Sequence, residues 1–487
     1  MLSYRKLAMR VLGRPLHTGG GNDSPRPASQ RAAAFLLTAA MLTTLTAPAF
    51  AKTWDIANGD ITVKAGEAEG PNEVKQGDNA FEKDEGKTII TGKSDKNTVT
   101  IEAENENDKV EVTLEDVNIK TTGGKAAVSV TGKGDTTIEL NGDNELSGSG
   151  AHAALEHNQG KGNVTSGELT IQDKDKNGSL TATGGIQNGA GIGAGGYRVS
   201  SGKIEITGGD ITAIGGKSAA GIGGSGRGDA DITISGGTIR ATGGDQAAGI
   251  GGGTSGNGKV TITGGAVIEE SIGGSSGAGA TGGTGIGGGA GGHGTIDISG
   301  NAQVKNALGK DGGAGIGGGT WGDANIKITG DAVIKNATGG AFGAGIGGGG
   351  GRNGDVTISG NAKIENAQGG YTGSGIGGGY AGLGDVTIEG NVTIKNAQGG
   401  SNAAGIGGGY GAENDDDGNG NQITIKSNES GAPTVNATGG VSEVDSDTGD
   451  TIPGGAGIGS GLGDATADIT LEGKVTIVAK GGEGNAA

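Results

Sequence analysis

Cysteine is absent from the 487 residues, which excludes disulfide staples, thiol catalysis and cysteine-ligated zinc. Proline is scarce at seven residues, and glycine does not fall at every third position, so collagen is excluded as well. Aromatic residues make up only 2% and hydrophobic residues 32%, below the usual ~45–50% for a packed domain. Beyond residue 51 no segment is apolar for the length of a membrane-spanning helix. What the chain does have is glycine, 117 residues of it. On composition alone that content borders on disorder, so periodicity has to decide.

A charged stretch ends at Arg31 and is followed by the uncharged run AAAFLLTAAMLTTLTAPAFA. Ala49-Phe50-Ala51 closes it with the small-x-small pattern of a signal peptidase site, which predicts a signal peptide over 1–51 and cleavage before Lys52. The mature protein is then expected to be secreted or held at the cell surface, with no membrane insertion. The formal net charge of −18 becomes about −23 once the leader is removed, with 30 basic against 53 acidic residues. Such a balance repels nucleic acid and anionic membranes and suits neutral glycans, cations, or acidic glycans bridged by cations.

Gly-Ile-Gly recurs with its isoleucine at Ile192, Ile222, Ile250, Ile286, Ile316, Ile346, Ile376, Ile406 and Ile458. Four successive intervals are 30 residues. Inside each unit apolar and polar residues alternate, as in Val386-x-Ile388 and Val392-x-Ile394, and a Gly-Asn or Gly-Asp corner lies between the pairs. Alternation of β-branched residues marks half-buried strands. The Gly-Ile-Gly segment is read as a third strand with one large inward side chain. No window has helical periodicity, and glycine costs about 1 kcal/mol per helical position. A disordered chain has no reason to keep isoleucine in phase. The reading is an all-β chain, a single-stranded parallel β-helix with three short strands in a rung of about 30 residues, its rungs stacked to bury one core.

Asn306, Asn336, Asn366 and Asn396 share the period, each two residues after an inward Val or Ile, and are expected to point inward and form a buried amide ladder. Residues 52–185 keep strands such as KVEVTLEDVNIK and DTTIELNG without strict spacing. They are read as an N-terminal cap and irregular rungs, and 186–487 as regular glycine-rich rungs with an insertion at 411–455. The sequence ends in VTIVAKGGEGNAA without a capping helix. Either the last edge is exposed and open to end-to-end self-association, or the chain once continued.

These patterns resemble the right-handed parallel β-helix proteins of pectin-lyase-like architecture, most closely over 190–410. The segment VEVTLEDVNIKTTGGKAAVSVTGKGDTTIELNGDNELSG, with GELTIQ and SLTATGG after it, is similar to secreted carbohydrate-binding β-helix proteins of cellulolytic clostridia. The GAGIGGG repeats resemble those of long surface proteins of gut bacteria. The resemblance implies a right-handed coil and calcium-assisted binding of plant-wall polysaccharide, acidic in character, without cleavage.

Five of the eight aromatic residues beyond the leader lie between 321 and 410: Trp321, Phe342, Tyr371, Tyr380 and Tyr410. All fall four or five residues from a Gly-Ile-Gly isoleucine, so they are expected along the two edges of the third strand. Trp321 and Tyr380 are then two rungs apart, ~10 Å, about the length of a disaccharide. Flat rings at that spacing suit stacking on a polysaccharide. Three aspartate runs have cation-ligand spacing: Asp173, Asp175 and Asn177; Asp415, Asp417 and Asn419; and Asp445, Asp447 and Asp450. Alternate oxygens ahead of a glycine suit Ca²⁺, while the bidentate glutamate of an EF-hand is missing.

Catalysis finds little support. Lyases and glycosidases of this architecture need converging acidic groups, whereas the outward strand residues are mainly Thr, Lys, Glu and Asp, with Asp297 the exception worth following. His152, His157 and His293 have no metal-site spacing. The leading expectation is a non-catalytic, adhesin-like binder of host or plant glycan. The alternatives are a structural surface spacer without a ligand and a polysaccharide lyase or glycoside hydrolase.

Overall fold

The computed structural model describes residues 52–67, 70–160, 166–277, 281–444 and 451–483. The expected signal peptide lies outside the described residues. The chain forms an all-β parallel β-helix in which each regular rung contributes one strand to each of three parallel columns. The first column runs through Gly294–Ile298, Ala324–Ile328, Gly354–Gly360 and Gly384–Gly390. The second runs through Gln303–Leu308, Val333–Thr338, Lys363–Gln368 and Thr393–Gln398. The third consists of two-residue strands, Ile286–Gly287, Ile316–Gly317, Ile346–Gly347, Ile376–Gly377 and Ile406–Gly407. Among the described residues no helix is long and apolar enough to cross a membrane.

Register follows the repeat. Ile296 pairs with Ile326, then Val356, then Val386, while Ile316 pairs with Ile346, Ile376 and Ile406 in turn. Each rung therefore adds the same inward set, for example Ile296, Ile298, Val304, Ala307 and Ile316, all 0–2% exposed. Like stacks on like about 4.8 Å apart, so a rung with no closed core of its own shares one with its neighbours.

The third column fixes how closely the coil can be wound. A methyl group at Gly345 would sit 2.6 Å from the Gly375 oxygen and 2.7 Å from the Gln368 nitrogen, so the strand lies almost backbone-to-backbone on the second column. Gly347 has φ +141°, and a methyl there would overlap the carbonyl of Gly377 in the next rung. The residue paired across the narrow part is correspondingly small, in the column Ala307, Ala337, Ala367, Ala397. Only isoleucine, between the two glycines, carries bulk, and it points into the core.

The asparagine series corrects the inward expectation. Asn306 and Asn336 are exposed and Asn366 and Asn396 half-buried, all on the outer face. Two successive residues face outward here, Lys305 and Asn306 between buried Val304 and Ala307, so simple alternation fails by one position. The extra residue enters one rung earlier as a bulge, where Ile239 pairs with Ile268 but Arg240 with Glu270 and Glu269 is left over, and the following rungs keep it in register. The amides still stack along the axis: Asn336 Nδ2 donates to Asn306 Oδ1 at 3.1 Å and Asn396 Nδ2 to Asn366 Oδ1 at 2.8 Å. It is a ladder, on the solvent side.

The N-terminal rungs are less regular. Lys109–Lys120 is one twelve-residue strand crossing two faces, paired with Asp135–Asn141 and Asp143–Ser147. Antiparallel strands Glu73–Gln76 and Glu82–Lys83 extend Ile61–Lys64, and buried Trp54 donates its indole N–H to Asp84 at 2.9 Å. The 52-residue interval between Ile406 and Ile458 holds two ordinary column strands, Asn421–Lys426 and Thr434–Thr438. Extra residues fall before, between and after them, and those after Thr438 include the antiparallel pair Glu443–Val444 and Thr451–Ile452. In the final rung the inward columns surface, with Ile469 42% and Leu471 53% exposed.

Gly347→Ala is expected to destabilise the coil by about 3 kcal/mol, the upper range for overpacking a core. Gly265→Ala, where nothing lies within 4 Å of the added methyl, is expected to change little. Urea midpoints of the two variants test the difference; equal midpoints would show that rung contact at the third column is not limiting.

Candidate functional site

The third strand is buried on its outer side as well as its inner one, because the loops before and after it fold over it. Each loop is a tight turn: Gly343 N–H donates to Gly340 O at 2.9 Å, and Gly382 N–H to Gly379 O at 2.9 Å. The two turns then bond to each other across rungs, Gly350 to Gly312 at 2.7 Å, Tyr380 to Phe342 at 2.8 Å and Tyr410 to Thr372 at 3.0 Å, nitrogen to carbonyl oxygen in each case. The two edges expected from the sequence are therefore one seam, running along the coil axis.

On that seam three of the five aromatic residues touch in series. Phe342 and Tyr380 have ring centroids 6.0 Å apart at 65°, and Tyr380 and Tyr410 6.0 Å apart at 53°. Edge-to-face and tilted contacts of this kind are favourable for aromatic quadrupoles. The Tyr380 ring lies above Gly411 of the next rung, its Cε2 3.4 Å from where a methyl would be. Trp321 and Tyr371 stand out further, each 57% exposed.

Trp321 occupies an unusual backbone position. Its φ is +65°, and the corresponding turn residues in other rungs are Gly291, Gly351 and Gly411 together with Arg227, Ser255 and Ala381, all with positive φ. A side chain in the left-handed region costs roughly 1–2 kcal/mol, and a bulky one is an outlier there. The indole lies over Gly351 one rung on, its Cζ3 2.5 Å from the position a methyl would take. Strain of this kind is a reason to look for function at the residue that bears it.

The aspartate runs do something different. Asp173 accepts from the N–H groups of Asn177 at 3.2 Å and Gly178 at 3.0 Å, closing its own turn. Asp415 accepts from the backbone of Asp417 at 3.0 Å and of Asn419 at 2.7 Å, and from the Asn419 amide at 3.1 Å. Those hydrogen bonds from Asn419 hold the Asp415 carboxyl below the usual carboxylate range. Asp445, Asp447 and Asp450 lie outside the described residues. Among the described residues no three acidic or histidine side chains converge as a metal would require.

Other titratable groups are scattered. Asp297 sits in register between Thr261 and Lys327, with one buried oxygen lacking a hydrogen-bond partner. A hydrogen bond with Glu168, together with burial, holds the Glu205 carboxyl above the usual range. Glu168 in turn pairs with Lys203. Two carboxyls bonded to each other on neighbouring rungs do not straddle a sugar at the ~5 Å or more that glycosidases use. A polar groove of about 680 Å³ lies on the N-terminal rungs, lined by Lys93, Asn118, Asp143, Glu145 and Thr181 among others, without an aromatic ring. Sequence reasoning missed one aromatic on the seam, Tyr197, 55% exposed, because it lies far ahead of the 321–410 cluster, although it too stands five residues after its isoleucine, Ile192.

No family model matches the chain, and no curated protein and no solved structure matches it.

Two predictions separate structural from ligand roles. Trp321→Gly is expected to leave stability within about 1 kcal/mol of the parent, relief of the backbone strain offsetting the lost ring contact; a larger loss in a denaturant melt would make the indole a structural element. His157 is buried, its Nε2 2.9 Å from the Gly167 oxygen, and burial holds its pKa below the ordinary imidazole value. A depressed pKa means the unfolded chain takes up the proton first, so stability is full above about pH 6.5 and falls below it. His157→Gln should flatten that acid-side loss in melts between pH 7 and pH 5.

Proposed function

We propose that the protein is a secreted or cell-surface β-helix that holds a polysaccharide on its aromatic seam without cleaving it. The observation that carries this reading is the continuous Phe342–Tyr380–Tyr410 stack, with Trp321 kept beside it in a conformation better suited to glycine. A spacer gains nothing from a strained, 57% exposed indole. Sugar rings present C–H faces that stack on aromatic planes, and rings placed one rung apart along a straight axis match a polymer running parallel to the coil.

Calcium is not needed for this mode of binding. The carboxylates of Asp173 and Asp415 already serve their own turns, and neither belongs to the aromatic stack. Retention is therefore expected to be the same with Ca²⁺ and with EDTA. The enzyme alternative is disfavoured by the bonded arrangement of Glu168 and Glu205 and by the isolation of Asp297.

The test is retention of residues 52–487 on a panel of insoluble polysaccharides. Replacing Trp321, Tyr380 and Tyr410 together by alanine is expected to weaken retention tenfold or more while the circular dichroism spectrum is kept. Unchanged retention would end the aromatic reading, and no retention by the parent would favour the spacer.

A further inference from the structure

Beyond residue 51 the chain has only four arginines, Arg198, Arg227, Arg240 and Arg352. Arg240 is paired with Asp210 at 2.7 Å. The other three all fall five or six residues after a Gly-Ile-Gly isoleucine, in the outer turn that forms the seam. Two of them meet at one aromatic ring. The guanidinium carbons of Arg198 and Arg227 lie 5.5 and 5.7 Å from the centroid of Tyr197, which is itself exposed.

The backbone holds this group together. Arg198 N–H donates to the Gly226 oxygen at 2.7 Å, and Arg227 N–H to the Thr254 oxygen at 2.7 Å, so the two arginines are locked on successive rungs. Tyr197 lies above Gly226, its Cδ2 3.4 Å from where a methyl would be, the same placement that Tyr380 has over Gly411. Both arginines adopt positive φ, +64° and +63°. Two charged side chains are thus kept at strained positions, one of which glycine fills in several later rungs. Neither is in an ion pair among the described residues, although the chain is rich in carboxylates. The nearest acid in sequence, Asp229, already accepts from Asn257 N–H at 2.7 Å in the next rung.

We infer that Tyr197, Arg198 and Arg227 form an anionic-sugar subsite, in which the sugar ring stacks on the tyrosine and its carboxylate or sulfate is held by the two guanidinium groups. Planar guanidinium groups with their carbons 5.5 and 5.7 Å from the ring centroid present N–H donors beside the ring, and those donors match the oxygens of such an anion. The subsite lies on the same seam as the Phe342–Tyr380–Tyr410 stack, about 24 Å away at five rung spacings. It rests on the reading of the seam as a polysaccharide track, and adds that the track selects polymers with acidic residues.

Glycine is the suitable replacement, because it adopts positive φ without strain and removes both charges. Binding of soluble polyuronate, sulfated glycan and a neutral glycan by Arg198→Gly/Arg227→Gly, Trp321→Ala/Tyr380→Ala/Tyr410→Ala and the parent is to be measured at low and high salt, with thermal melts confirming folding. The expected result is that the parent prefers at least one anionic polymer, that raised salt weakens this binding, and that the arginine variant loses it tenfold or more while neutral-glycan binding is unchanged. Comparison of polyuronate with sulfated glycan identifies which anion is used. Equal anionic binding by the parent and the folded arginine variant would overturn the subsite, as would a parent with no anionic preference. Loss of binding in the aromatic variant alone would leave the seam reading standing without the subsite; loss in the arginine variant alone would do the reverse.

Discussion

Everything in this molecule depends on how closely one rung can lie on the next at the Gly-Ile-Gly strand. There the backbone of each turn meets the backbone of its neighbour, and a single added methyl at Gly347 has no space. The contact fixes the high glycine content, the alanine column facing it and the use of one isoleucine per rung as the whole side-chain contribution of the third strand. Glycine costs backbone entropy on folding. The stacked rungs recover it through ladders of isoleucine and valine buried at 0–2% exposure and through parallel backbone hydrogen bonding in three columns.

The same constraint shapes what is left for function. With the third strand covered by its own flanking turns, the outer surface there is a seam of glycine backbone, and a large ring placed on it reaches over the next rung. Tyr197 over Gly226, Trp321 over Gly351 and Tyr380 over Gly411 repeat this arrangement. Glycine thus provides shelves for the few aromatic residues the chain has. Positive φ at the turn, free for glycine and strained for Trp321, Arg198 and Arg227, marks where the shelf carries a side chain instead.

Much of the architecture was legible in the sequence. Four intervals of 30 between Gly-Ile-Gly isoleucines, and alternation such as Val386-x-Ile388, gave the rung, its strands and its inward residues. Two features were not legible. Alternation predicts Asn306 inward, but the residue added at Glu269 one rung earlier sets a register in which Lys305 and Asn306 both face outward, and nothing in the local residue types signals which of two polar neighbours is extra. The aromatic residues before and after the third strand looked like two edges, since a sequence does not say that the flanking turns fold back and bond to each other. Tyr197 was passed over because it lies far ahead of the 321–410 cluster, although its offset from Ile192 is that of Trp321 from Ile316, and the two arginines beside it carry no motif. The aspartate runs fitted a cation loop by spacing, yet the carboxylates of Asp173 and Asp415 serve turns, which the same spacing equally allows.

The central claim is that polysaccharide lies on the seam in contact with its exposed rings. The chain has two tryptophans, Trp54, buried at 3% exposure, and Trp321, 57% exposed, so intrinsic emission reports on the seam directly. Titration with a retained polysaccharide is predicted to shift the emission to the blue and to protect it from acrylamide quenching, and Trp321→Gly should abolish both changes. Binding by the parent with unaltered emission and quenching would contradict the account.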